Sequence, residues 1–123
     1  MGRIMGRLGD HMNDDTLSFC VSLFHSLAHP TRLRIVEMLT EKERTVGDLA
    51  AALGLLQPNV SQHLAILSRA GVIKATPEGA ARCYALRGPR IARVLALADE
   101  FRRAHSADIA AAPAAPPGER GGR

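Results

Sequence analysis

Residues 57–71, QPNVSQHLAILSRAG, decide how this chain is read. At 3.6 residues per helical turn, Val60, Leu64 and Leu67 fall on one side. Gln57, Ser61, Gln62 and Arg69 fall on or near the other. A solvated helix face is usually salted with Glu and Lys. This one lacks both and presents Gln, Asn59 and Ser, side chains that donate and accept hydrogen bonds at base edges in a DNA major groove. Pro58 suits the first turn, where its missing N–H costs nothing. Gly71 suits the C-terminal end. His63 flanks the inner face, where a packing or capping role is commoner for histidine than base reading.

The surroundings extend this pattern. Thr45-Val46-Gly47-Asp48 opens another helix, with Thr45 as its cap and Asp48 partly completing a capping box. Val46, Leu49, Ala50 and Leu53 give that helix an apolar stripe, Gly54 ends it, and only Leu55-Leu56 separates it from Gln57. Two helices joined by a turn of about 3–4 residues with Gly form a helix-turn-helix, whose second helix enters the groove. Downstream, residues 72–75 and 82–86 pair as strands around Pro77-Glu78-Gly79, which carries turn chemistry. A helix-turn-helix followed by a hairpin is a winged helix: mainly α, about five helices, with a small β wing. Lys74, Arg82 and Arg87 of the wing are expected to contact phosphates.

Three stretches together, LAHPTRLRIVEMLTE (residues 27–41), TVGDLAAALG (45–54) and QPNVSQHLAILSRAGVI (57–73), resemble the ArsR/SmtB family of bacterial winged-helix repressors. The likeness runs from Phe19 to Phe101. It implies a homodimer built from the first and last helices, bound to double-stranded DNA at an inverted repeat and released by an effector. The family usually places Ser just before the Gln-Pro as the cap of the recognition helix. Here it is Leu56, so a cap must come from elsewhere.

The rest of the chain fits that frame. Its 123 residues allow one domain. Residues 1–13 show little apolar periodicity, and residues 107–123 are rich in Ala, Pro and Gly, so both ends are expected to be disordered and the domain to span 14–106. Residues 29–93 hold ten Lys and Arg against five acids, a net of +5, while 1–28 net −1 and 94–123 net zero. The basic excess therefore lies where phosphate contacts are needed. An Arg-rich surface without function is the plainer alternative. No apolar run is long enough to span a bilayer and no signal-peptide core is seen, so a cytoplasmic location without membrane contact is expected. Two cysteines do not suggest a disulfide framework.

Asp14 or Asp15 can cap a first helix to about Ala28, with Leu17, Cys20, Val21, Phe24 and Ala28 on one side. The helix from Pro30 to Thr40 carries Leu33, Ile35, Val36, Met38 and Leu39, a wide stripe for a central helix. Pro89 opens a last helix in which Ile91, Val94, Ala98, Phe101 and His105 recur at 3–4 spacing, a seam able to pack on a copy of itself. Leu17, Phe24, Ile91, Val94, Ala98 and Phe101 are the expected dimer contacts.

The resemblance also implies where a signal would act. Metal-sensing members carry Cys before the recognition helix, where this chain has Val46-Gly47-Asp48. Others carry paired ligands on the last helix. Here His105 and Asp108 stand for the second half, but Ala92 and Val94 occupy the first. Three or four ligands are normally needed, so no metal site and no cofactor is expected; the alternative is a non-canonical metal-responsive site in which His105 and Asp108 of two subunits meet across the two-fold axis. Cys20, on an apolar face, reads as a core residue. Cys83, beside Arg82, faces either core or solvent and is open to a thiol-based role. His25 and His29, four apart, suit packing better than metal, because Pro30 breaks the helix there.

Catalysis is not supported. The acids are scattered, and no Gly-rich phosphate loop or nucleophile elbow appears. A winged helix that binds only proteins is the remaining alternative. The effector, the operator and the regulated genes are not written in the sequence.

Overall fold

The computed structural model describes residues 11–79 and 81–108. Most of the two terminal segments expected to be disordered, residues 1–10 and 109–123, lies outside that range. Among the described residues, five helices and three strands follow in order: α1 (Asp14–Leu27), α2 (Pro30–Glu41), β1 (Arg44–Thr45), α3 (Val46–Leu53), α4 (Gln57–Arg69), β2 (Ile73–Glu78), β3 (Ala81–Leu86) and α5 (Arg90–Ala104). The strands form an antiparallel sheet in the order β1-β3-β2.

Local chemistry sets the helix ends. Asn13, not Asp14 or Asp15, caps α1: its Oδ1 accepts the Thr16 amide at 2.8 Å. His29 caps α2, its Nδ1 accepting the Thr31 amide at 3.1 Å, with Pro30 in the first turn. The capping box of α3 is complete. Thr45 Oγ1 accepts from the Asp48 amide at 3.1 Å, and Asp48 Oδ2 accepts from the Thr45 amide at 3.3 Å.

The C-terminal ends of α3 and α4 close in the same way. The Leu55 amide donates to the Ala50 carbonyl and the Val72 amide to the Leu67 carbonyl, both at 3.0 Å. Gly54 (φ 69°) and Gly71 (φ 81°) take the left-handed backbone that this double closure needs. These two ends fix the turn from α3 into α4 and the exit from α4 toward the wing.

Ile35, Val36 and Leu39 of α2, Leu49 of α3, Val60, Leu64 and Leu67 of α4 and Ile73 of β2 make the core, all at most 5% exposed. Truncating any of these larger side chains to Ala costs about 2–5 kcal/mol. Leu33, expected in the central stripe, is 38% exposed. It lines a cleft of about 680 Å³ between α2 and α5 with Leu95 and Ala96.

The wing is longer than its apolar pattern indicated. Pro77 and Glu78 pair with Arg82 and Ala81 instead of making the turn, which lies between Glu78 and Ala81 and begins at Gly79 (φ 63°). Pro77 is tolerated because β2 is an edge strand. The third strand, β1, was not expected. Arg44 and Thr45 pair with Tyr84 and Cys83, so Thr45 is at once a strand residue and the cap of α3.

Candidate nucleic-acid interface

Burial divides α4 cleanly. Val60, His63, Leu64 and Leu67 are buried, while Gln57, Ser61, Gln62 and Arg69 are exposed and Asn59 is half-buried. Gln57 is not wholly free to face outward: its amide nitrogen lies 3.5 Å from where a Cβ on Gly47 would sit, so it also packs on the first turn of α3. Leu56 supplies the extended backbone of an N-cap (φ −76°, ψ 145°) but no side-chain bond. Among the described residues, no other side chain is seen to take over that role. The Asn59 and Val60 amides turn back to the Leu56 carbonyl at 3.0 and 3.2 Å.

A cleft of about 420 Å³ separates α4 from the wing. Arg69 of α4, Lys74 of β2, Arg82 of β3 and Arg87 just beyond it all line this cleft, together with Ser61 and Ser68. Four cations are thus gathered from three elements onto the side bearing the polar face of α4. Sequence reading passed over two polar members, Ser68 and Tyr84, which line the same cleft. For Tyr84 the signal was present, because it follows Arg82 by two positions and shares its face of the strand.

Behind α4 lies a polar cluster. His63, 8% exposed, meets Arg32, also 8% exposed. Arg32 Nη1 lies 3.3 Å from His63 Nδ1, and Arg32 Nε donates to the Ser26 carbonyl at 2.5 Å. A guanidinium only donates, so His63 Nδ1 must accept and the ring is neutral. The His29 ring packs against it at a tilt of 54°, with centroids 4.5 Å apart. Burial chiefly, then electrostatic interaction with His29 and with the Arg32 guanidinium, holds the His63 pKa below its ordinary value.

The seam expected on α5 is split. Ile91 and Val94 are half-buried and face Phe19, Leu23 and Val72 across a cavity of about 260 Å³. Ala98 and Phe101 are exposed, and so is Leu97, which the spacing did not select. On α1, Leu17 and Phe24 are 52% and 56% exposed. Large apolar side chains therefore stand in solvent on both helices expected to form a dimer.

The candidate sensing residues do not converge. Cys20 and Cys83 are half-buried residues on α1 and β3. The His105 ring packs against Phe101 at a tilt of 46°, with centroids 4.7 Å apart, and the Asp108 amide donates to the His105 carbonyl. Among the described residues, no three His, Cys, Asp or Glu side chains are placed to hold a metal ion. None of the described helices is long and apolar enough to cross a membrane.

Residues 29–75 match the family described as bacterial regulatory protein, arsR family. The chain is 47% identical over 76 residues to Rv0081 of Mycobacterium tuberculosis, an uncharacterized HTH-type transcriptional regulator, covering 61% of this chain and 67% of that protein. The crystal structure of Rv0081 superposes with a TM-score of 0.70 over 78% of this chain and 97% of that one, at 38% identity. KmtR, an HTH-type transcriptional regulator of the same organism, is 32% identical over 97 residues, 79% of this chain and 74% of its own length. The homodimeric winged helix-turn-helix DNA-binding domain of Mb0332 from Mycobacterium bovis matches with a TM-score of 0.70 at 28% identity, over 77% of this chain and 91% of that domain. By its motifs, its fold and these relatives, this chain is a member of the ArsR family of bacterial winged helix-turn-helix transcriptional regulators.

Proposed function

We propose that the protein is a cytoplasmic repressor that binds an inverted-repeat operator as a homodimer. In this reading α4 lies in the major groove of each half-site, Gln62, Ser61 and Asn59 read base edges, and Gln57 does so from its seat on Gly47. Arg69, Lys74, Arg82 and Arg87 hold the flanking phosphates. The observation that carries this is the continuity between the exposed polar face of α4 and the four-cation cleft beside it. Backbone contacts position a protein and base contacts specify its site, and here the two sets adjoin. Two copies are joined through α1 and α5, where Leu17, Phe24, Ala98 and Phe101 are exposed.

The test contrasts two variants in operator titrations at several salt concentrations. Gln62→Ala should relax base preference and cost about 1–3 kcal/mol for a lost bidentate contact. Arg82→Ala should weaken binding to all sequences alike and reduce the salt slope by about one unit. Unchanged affinity and preference in Q62A removes Gln62 from the readers. A sequence-selective loss in R82A moves Arg82 among them.

A further inference from the structure

The cavity of about 260 Å³ between α1 and α5 combines apolar walls with two cations. Phe19 and Leu23 of α1, Val72, and Ile91 and Val94 of α5 supply the walls. Val72 is buried, Leu23, Ile91 and Val94 are half-buried, and the Phe19 ring is largely in solvent. The cations are Arg87, just beyond β3, and Arg90, the first residue of α5, both exposed. The Arg87 amide donates to the Val72 carbonyl at 3.0 Å, which ties its backbone to an apolar wall. Among the described residues, no acid lines the cavity and neither arginine is in an ion pair. An apolar recess with two unneutralised cations matches a molecule that has an apolar body and a carboxylate. The body leaves water against Phe19 and its neighbours, and the carboxylate accepts from a guanidinium. Size limits the body. A cavity of roughly 150 Å³ suffices for benzene, so about 260 Å³ holds one ring with its carboxylate and leaves little room for more. We propose that this cavity binds a compact apolar carboxylate, about one ring in size.

Arg87 couples the site to DNA, because it also lines the cleft between α4 and the wing. A guanidinium drawn to a carboxylate in the cavity is withdrawn from a phosphate of the operator. Occupancy therefore weakens DNA binding, and the ligand acts as an inducer. This coupling rests on the reading of Arg87 as a backbone contact; ligand binding itself does not. Arg90 lines this cavity and not the cleft beside α4, so it can be altered apart from the DNA-facing set.

Benzoate is the probe. Acetate, a carboxylate without the apolar body, and benzyl alcohol, a ring without the charge, are the controls at matched ionic strength. Without DNA, the thermal midpoint of the full chain should rise saturably with benzoate and much less with either control. Arg90→Ala should lower benzoate affinity about fivefold, the upper end for an exposed ion pair. Arg90→Lys, which keeps the charge, should lower it less. With DNA, saturating benzoate should weaken operator binding about fivefold or more beyond acetate, the lower end of ordinary coupling between sites. An equal rise with acetate would overturn the site by showing a bare anion effect, and an equal rise with benzyl alcohol by showing an apolar one. Unchanged benzoate affinity in R90A would place the ligand elsewhere and overturn the assignment. Dissociation of the dimer by benzoate in sedimentation would overturn it too, because the cavity would then be a seat for a second copy. Saturable, Arg90-dependent stabilisation with unchanged operator affinity would overturn the coupling through Arg87 alone. A protein that bound no operator would overturn the function proposed above, and with it the coupling, while the midpoints without DNA would still decide the site.

Discussion

Arg32 and His63 meet across 31 positions of sequence, and their contact gives the recognition helix a titratable footing. His63 takes up a proton less readily in the folded chain than its ordinary value of 6.5 would allow, because burial first, and then the electrostatic influence of His29 and Arg32, oppose the charge. The unfolded chain is then the first to bind a proton as pH falls. Stability from this group is full above 6.5, declines as pH drops from there toward the lowered folded value, and changes no further below it. Urea unfolding at pH 7.5 and 5.5 should show a loss on acidification that is smaller in His63→Gln. An equal loss in both proteins would remove His63 as its source. None of this was legible in the sequence, which showed a histidine beside an apolar stripe but not a buried arginine behind it. The outward face of the same helix was legible, because a period of 3.6 sorts Gln57, Ser61 and Gln62 from Val60, Leu64 and Leu67 without reference to anything distant.

At the scale of elements, α4 is held unequally at its two ends. Its C-terminus is closed by Gly71 and two backbone hydrogen bonds, whereas its N-terminus has the right backbone at Leu56 and no accepting side chain. Leu56 is 71% exposed, so replacing it sacrifices little burial. Leu56→Ser should stabilise the fold by about 1 kcal/mol, a rise of roughly 4–8 °C in a domain of this size. Gly71→Ala should act in the opposite sense. Nothing lies within 4 Å of the added Cβ, so the cost is the left-handed backbone alone, about 1–2 kcal/mol. Calorimetry of the two variants checks the asymmetry, and shifts of the same sign would refute it. The missing cap could be read directly from the residue at position 56. The strand β1 could not, because two residues carry no alternation and the pairing of Arg44 and Thr45 depends on the far side of the wing. The cap of α1 was misplaced by one residue because Asn13, Asp14 and Asp15 are all competent caps, and only the geometry that aims Asn13 at Thr16 separates them.

For the whole molecule, the question is what covers α1 and α5. Phe101 and Leu97 are each 61% exposed, and no residue of α5 is fully buried. Burying a side chain of that size in a dimer contributes about 1.5–3 kcal/mol per copy. Phe101→Asp instead sets two carboxylates against each other across the axis. Sedimentation of this variant should show monomers or unfolded chains, with operator affinity lost because one domain cannot span both half-sites. An intact dimer would refute the assignment. The spacing rule selected Phe101 but not Leu97, which is equally exposed, and it selected Ile91 and Val94, which are half-buried and line a cavity with Phe19 and Leu23 of α1. A periodic pattern marks one face of a helix and does not say whether a copy or the helix's own domain covers it.

A terminal helix with no buried residue also has a consequence for the protein's lifetime. In a lone subunit α5 is held by one side only, so it opens at a small fraction of the free energy needed to unfold the core. Proteases act on such open forms in proportion to their population. Pairing closes that route, and pairing depends on concentration. A cell holding few copies would therefore degrade them faster than one holding many, and occupancy of the operator would fall more steeply than in proportion as synthesis slows.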